Sequence, residues 1–274
     1  MTDYAVRMRN KWNDGATVDI SEEMMQLTLG IICKSVLNYD VESEAQEVGK
    51  ALTTVRKYSK RLQSPICHVL DKIPILPAPR RAREARKELD SLVYGLISDR
   101  RQQEESDNDK RYDDDLLSRL MQAQESNIAD HVSHNGVPST STPNEKMSDK
   151  QVRDEVMTIF IAGHETTLNA LTWTFYLLSQ YPDVERKLHE EFNPNRWTDD
   201  FKAHLPRFSY FPFGGGIRGC IGESFAWMEG ILIIATIAQE WSMRLVPSQH
   251  IKLDPAITLR SRYGMKMELL QRKK

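Results

Sequence analysis

Residues 211 to 226, FPFGGGIRGCIGESFA, gather five glycines around one cysteine and one arginine. Glycine supplies backbone freedom and close approach, so this loop is suited to bringing something large against its main chain. Two kinds of chemistry fit the spacing. Gly214, Gly216 and Gly219 satisfy G-x-G-x-x-G, a pattern that cradles a phosphate. Alternatively, Cys220 stands where the loop turns into a helix beginning near Gly222, and unpaired N–H groups and the positive end of a helix dipole there favour a thiolate. Such a thiolate is an axial ligand for a large flat cofactor, and Arg218 could pair bidentately with a propionate on it.

The elements around the loop separate these readings. A dinucleotide fingerprint needs a buried strand before the glycines and a second strand after the helix. The preceding residues HLPRFSYFPF contain Pro206 and Pro212, and Glu240, near the distance of a ribose-binding acid, falls at the end of the same helix. Nucleotide binding is therefore the weaker alternative. Helical periodicity dominates the first two-thirds of the chain, as in DISEEMMQLTLGIICKSVL, AQEVGKALTTVRKYSKRL and ARKELDSLVYGLISDRR. The run Arg80 to Arg86 reads as a solvated helix face. A long helix is expected from Ser148, its cap, to Ser179, with a middle that is apolar all round and so crosses the core. Another helix starts at Pro182, a buried one covers GESFAWMEGILIIATIAQEW, and the tail alternates like short antiparallel strands. The fold class is mainly α with a minor β component at the C-terminus.

With 37 basic and 39 acidic residues the net charge is -2, which gives no support to a nucleic-acid partner. Cys33, Cys67 and Cys220 are odd in number and far apart, against a disulfide framework or a zinc cluster. Cys33 and Cys67 lie in apolar runs and read as core residues. No stretch of about 18 apolar residues is present and the start lacks a signal peptide, so no membrane anchor is expected in this chain, and a cytoplasmic location is. Residues 126 to 147 lack periodicity and are rich in Ser, Thr, Asn, Pro and Gly, the composition expected of a flexible loop. His131 and His134 sit inside it with no further ligand nearby, so they read as solvated.

Phe213, Gly216, Arg218, Cys220 and Gly222 reproduce F-x-x-G-x-R-x-C-x-G, and the chain here resembles the haem-thiolate monooxygenases, the cytochrome P-450 family. A second motif agrees: Ala162, Gly163, His164, Glu165, Thr166 and Thr167 are similar to the family's A-G-x-E-T-T pattern on the helix across the distal face of the haem. The resemblance implies haem b (iron protoporphyrin IX) with Cys220 as the iron ligand and Arg218 on a propionate. It further implies a monooxygenase taking O2, electrons from a ferredoxin-like or flavoprotein donor, and an apolar substrate such as a fatty acid. Ala162 and Gly163 would leave room for oxygen, the Thr166 hydroxyl could reach the Ala162 carbonyl, and Glu165 and Thr166 would deliver protons. His164 falls on the motif's variable position and reads as structural or supporting.

The chain departs from the family in two places. FNPNRW is similar to the meander segment, with Asn195 where Glu is frequent, yet the Glu-x-x-Arg helix that should precede it is missing and Glu191 joins Phe192 directly. The N-terminal portion of the family also has no counterpart. One partial domain over residues 1 to 274, shortened at its start and internally deleted, is thus expected. A shortened, non-catalytic derivative with weak or no haem binding is the alternative to an active enzyme.

Overall fold

The computed structural model describes residues 1–41, 44–62, 77–106, 115–125, 147–190, 212–256 and 258–272. The expected loop up to residue 146, with His131 and His134, lies outside them, as do Cys67 and FNPNRW. Two compact units divide the chain, one of residues 29–162 and one of residues 1–28 with 163–274.

The 29–162 unit is helical. It contains most of α2 (Ile20–Leu37), then α3 (Ala45–Leu62), α4 (Pro77–Ser106), α5 (Leu116–Glu125) and the first part of α6 (Asp149–Gln180). α3 packs on α4 because each carries a buried stripe at helical spacing: Ala45, Val48 and Leu52 on one, Ala82, Ala85, Leu89, Val93 and Ile97 on the other. Arg80, Arg81, Arg83 and Arg86 are exposed, as the charge run suggested. Side chains satisfy the helix starts. Asp115 accepts from the Ser118 N–H at 2.8 Å and takes the Arg100 guanidinium at 2.7 Å on its other oxygen. Ser148 and Gln151 form a reciprocal cap at the start of α6, and Arg101 grips Asp149 beside it through two bonds.

The other unit holds α1 (Thr2–Arg9), β1 (Thr17–Asp19), the rest of α6, α7 (Pro182–Glu190), a 3₁₀ turn at Gly216–Arg218 and α8 (Glu223–Ala238). The strands β2 (Trp241–Leu245), β3 (Leu253–Pro255), β4 (Leu259–Ser261) and β5 (Lys266–Gln271) follow. An antiparallel sheet runs β1–β5–β2, with Val18 opposite Met267 and Met243 opposite Leu269, and β3 and β4 form a separate antiparallel pair. Met243, Met267 and Leu269 are buried, as are Ile233 and Ile237 of α8. α1 lies along α8, where Arg9 sits 3.1 Å from Glu240, and Trp12 meets Trp241 edge-on at 5.7 Å.

Two expectations need correction. The middle of α6 is not covered all round, since Ala162, Thr166 and Ala170 form an exposed stripe one turn apart. α8 is not a buried helix either: Trp227, Met228 and Ile231 are about half exposed. Apolar residues on every side give no periodic signal of which face the fold covers. β1 was unforeseen, because three residues are too short to display alternation; it exists through its pairing with β5.

Asp19 joins these elements. Its Oδ1 accepts from the Ser21 N–H, capping α2, and from the Met265 N–H, each at 3.0 Å. Gly264 is held at a φ of +78° with the Asp19 carboxylate in the space a Cβ would need. Gly264→Ala should therefore cost about 2 kcal/mol or more, combining left-handed strain with displacement of that carboxylate. Urea denaturation of the variant, checked by circular dichroism, measures it.

Candidate functional site

The cysteine loop is built by its backbone. The Cys220 N–H donates to the Phe213 carbonyl at 2.8 Å, and within that closure the Gly219 N–H donates to the Gly216 carbonyl at 3.1 Å. Gly214 and Gly216 take φ of +73° and +69°, a left-handed conformation that costs other residues about 1–2 kcal/mol each. The Phe213 ring packs on Trp227 of α8 at 5.7 Å, fastening the loop to the helix that follows. Gly222 is the N-cap of α8, and a Cβ there would stand 3.9 Å from Cys220 Sγ, so the sulfur lies beside the helix start. Cys220 and Arg218 are both exposed, and Ile217 and Ile221 present their whole side chains on either side.

These features fit an iron porphyrin held through sulfur. Cys220 offers one accessible soft donor, and no cluster of three or more His, Cys, Asp or Glu residues suited to a metal ion occurs among the described residues. At Gly216 an added Cβ would meet nothing within 4 Å, leaving the main chain open to a close planar neighbour. The two isoleucines supply apolar contact, and Arg218 supplies a partner for a carboxylate.

On α6, Ala162 and Thr166 lie on the exposed stripe and Gly163 is half-buried, whereas His164, Glu165 and Thr167 point into the protein. The Thr167 hydroxyl donates to the Gly163 carbonyl at 3.1 Å, a back-bond inside the motif. His164 is 2% exposed; burial, helped by the Arg260 charge, pushes its pKa down to about 3, so it stays neutral. Glu165 is tied to the β3–β4 segment: its Oε1 accepts from the Thr258 hydroxyl at 2.6 Å and lies 3.2 Å from Arg260 Nε. Phe213, Gly216, Arg218, Cys220 and Gly222 thus share one loop, and Ala162, Gly163, Glu165 and Thr166 share one helix.

Glu229 on α8 was not anticipated. It is 1% exposed, neither carboxyl oxygen has an aligned hydrogen-bond partner among the described residues, and it adjoins Thr167. Burial pushes its pKa up to about 7. The neighbouring Thr167 hydroxyl works against that rise, but burial outweighs it. Its signal in the sequence was a carboxylate nine residues after Cys220, inside the apolar run that follows the first turn of the helix. Asn169, Thr258 and Arg260 were missed too; only Asn169, one turn beyond Glu165 in an apolar helix, carried a local hint.

The family model described as Cytochrome P450 matches residues 1–192 and 190–265, two stretches that meet at the Glu191–Phe192 junction. The chain is 26% identical to cyclooctatin synthase of Streptomyces melanosporofaciens, over 90% of this chain and 67% of that protein. It is 24% identical to pentalenene oxygenase of Streptomyces avermitilis, over 88% of this chain and 66% of that one. The chain thus spans about two-thirds of the length of these curated relatives. The first alignment covers 327 positions, more than the 274 residues of the chain, so that relative carries sequence inside the matched span that is lacking here. In fold, the chain resembles the haem domain of a cytochrome P450DA mutant, with a TM-score of 0.76 and 21% identity over 99% of this chain and 73% of that one. Among the described residues no helix is long and apolar enough to cross a membrane.

The raised pKa of Glu229 has a consequence for stability. A carboxyl titrating near 7 when folded and near 4.5 when unfolded takes up a proton on folding between those values, so its stabilising contribution is complete below pH 4.5 and is lost as pH rises through 7. Glu229→Gln should remove this dependence and gain on the order of 3 kcal/mol over the unsubstituted protein at pH 8, relative to their difference at pH 4.5. Urea titrations of both proteins across that range measure the effect, and parallel curves would refute it.

Proposed function

Because this chain belongs to the cytochrome P450 family, we propose that it acts as a haem-thiolate monooxygenase, inserting one oxygen atom of O2 into an apolar organic substrate. The observation that carries this reading is the loop closed by the Cys220–Phe213 backbone bond, which leaves the sulfur accessible beside the start of α8. Cys220 would hold the iron of haem b, Arg218 would bind a propionate, and Phe213, Gly216 and Gly222 would shape the loop. When bound, the haem supplies the oxygen-activating chemistry. Ala162 and Gly163 would leave room on α6, while Thr166 on the exposed stripe and Glu165 behind it would hold and pass protons. An apolar substrate accords with a relative named for the oxidation of pentalenene, and a ferredoxin-like or flavoprotein donor would supply electrons.

A second reading, a shortened derivative that binds haem weakly or not at all, is favoured by one specific observation. The apolar face of α8 at Trp227, Met228 and Ile231 is open, in a chain that lacks sequence present within the matched span of its relative. Nucleotide binding at the glycine turn has less support. The strand following α8 pairs antiparallel with β5, and a dinucleotide fold needs a parallel pair at that point.

Haem reconstitution separates the readings. The reduced, carbon-monoxide-bound protein should show a thiolate-type Soret band, and Cys220→Ala should lose it. No haem absorbance after reconstitution would refute the enzyme reading for this chain.

A further inference from the structure

Glu165, Asn169 and Trp173 stand one helical turn apart on α6, and each is joined to the β3–β4 segment. The Thr258 hydroxyl donates to Glu165 Oε1 at 2.6 Å and accepts from Asn169 Nδ2 at 3.0 Å. The same Asn169 amide also donates to the Glu165 main-chain carbonyl at 2.9 Å. Trp173 Nε1 donates to the Leu259 carbonyl at 2.9 Å, and Arg260 Nε lies 3.2 Å from Glu165 Oε1 without hydrogen-bond alignment. Three consecutive residues, Thr258, Leu259 and Arg260, are therefore stitched to three successive turns of one helix face.

We propose that Arg260, together with Thr258 and Asn169, positions the Glu165 carboxylate for its part in the reaction. This rests on the monooxygenase reading, in which Glu165 handles protons. The Glu165 side chain is 11% exposed and that of Arg260 is 14% exposed, so their charges meet where water screens them little. A buried carboxylate deprived of its cationic partner loses what offsets its desolvation and turns toward other partners. The Thr258 hydroxyl, held by Asn169, aims Oε1; Arg260 keeps the carboxylate there. Thr166, the next residue, lies round the helix on the exposed stripe, so the direction of the Glu165 side chain governs whether a proton can pass between them. Arg260 is a positioning residue: it acts through Glu165.

Two measurements test this, and the first needs no haem. Urea unfolding of Glu165→Gln, Arg260→Met and the double variant should be non-additive, with the double variant close to the more affected single one. Additive losses would overturn the contact. In haem-loaded protein turning over an apolar substrate, Arg260→Met should lower the fraction of electrons recovered in product roughly tenfold, the rest appearing as hydrogen peroxide, while KM and the thiolate Soret band stay unchanged. Arg260→Lys should restore most of that fraction. An unchanged product fraction with an intact Soret band, or failure of Lys to restore it, would overturn the positioning role. Failure of the unsubstituted protein to bind haem would instead refute the monooxygenase reading, and the positioning role with it, while the unfolding cycle still decides the contact.

Discussion

A single backbone hydrogen bond, from the Cys220 N–H to the Phe213 carbonyl, closes the loop that presents the sulfur. Cys33 provides the contrast within the same chain. It is fully buried in α2, and burial, with a further contribution from the Asp40 charge, pushes its pKa up to about 12, leaving an inert protonated thiol. Cys220 is exposed instead, because two left-handed glycines turn the chain and the Phe213–Trp227 contact fastens the turn to α8. A side chain at Gly214 or Gly216 would strain the turn. Accessibility of the sulfur is thus a property of the closed loop, and whatever chemistry the thiol performs follows from it.

Polar groups within apolar helices organise the rest of the site. On α6, Glu165 and Thr167 turn inward while Ala162 and Thr166 stay open, so one short motif serves both an internal network and an exposed stripe. Thr167 adjoins Glu229 of α8, which links the helix bearing the second motif to the helix that follows Cys220. Glu165 links α6 to the strands near the end of the chain. Buried groups of this kind are costly when left unsatisfied, so the network constrains how α6, α8 and the β3–β4 segment can be arranged together. It does so inside one of the two units, where all of these contacts lie.

Much of this was legible from residue types. The mainly helical class, the cap at Ser148, the helix starting at Pro182, the buried Cys33 and the antiparallel terminal strands all follow from periodicity and capping chemistry. The cysteine motif was readable because its glycines and arginine are adjacent in sequence. Arg260 was not, since its partner Glu165 lies 95 positions earlier and nothing in ITLRSRYG marks an arginine that will pack against a carboxylate. The open faces of α6 and α8 were hidden for another reason: uniformly apolar helices reveal that they must be covered, but not by what. Glu229 was visible as an odd residue, yet its meaning depended on Thr167 arriving beside it.

Whether the exposed Cys220 sulfur takes iron is most directly read by X-ray absorption at the iron edge of the haem-reconstituted protein. One sulfur scatterer in the first coordination shell, absent in Cys220→Ser, is the expected result. A shell of nitrogen and oxygen alone, unchanged by that substitution, would contradict thiolate ligation by this loop.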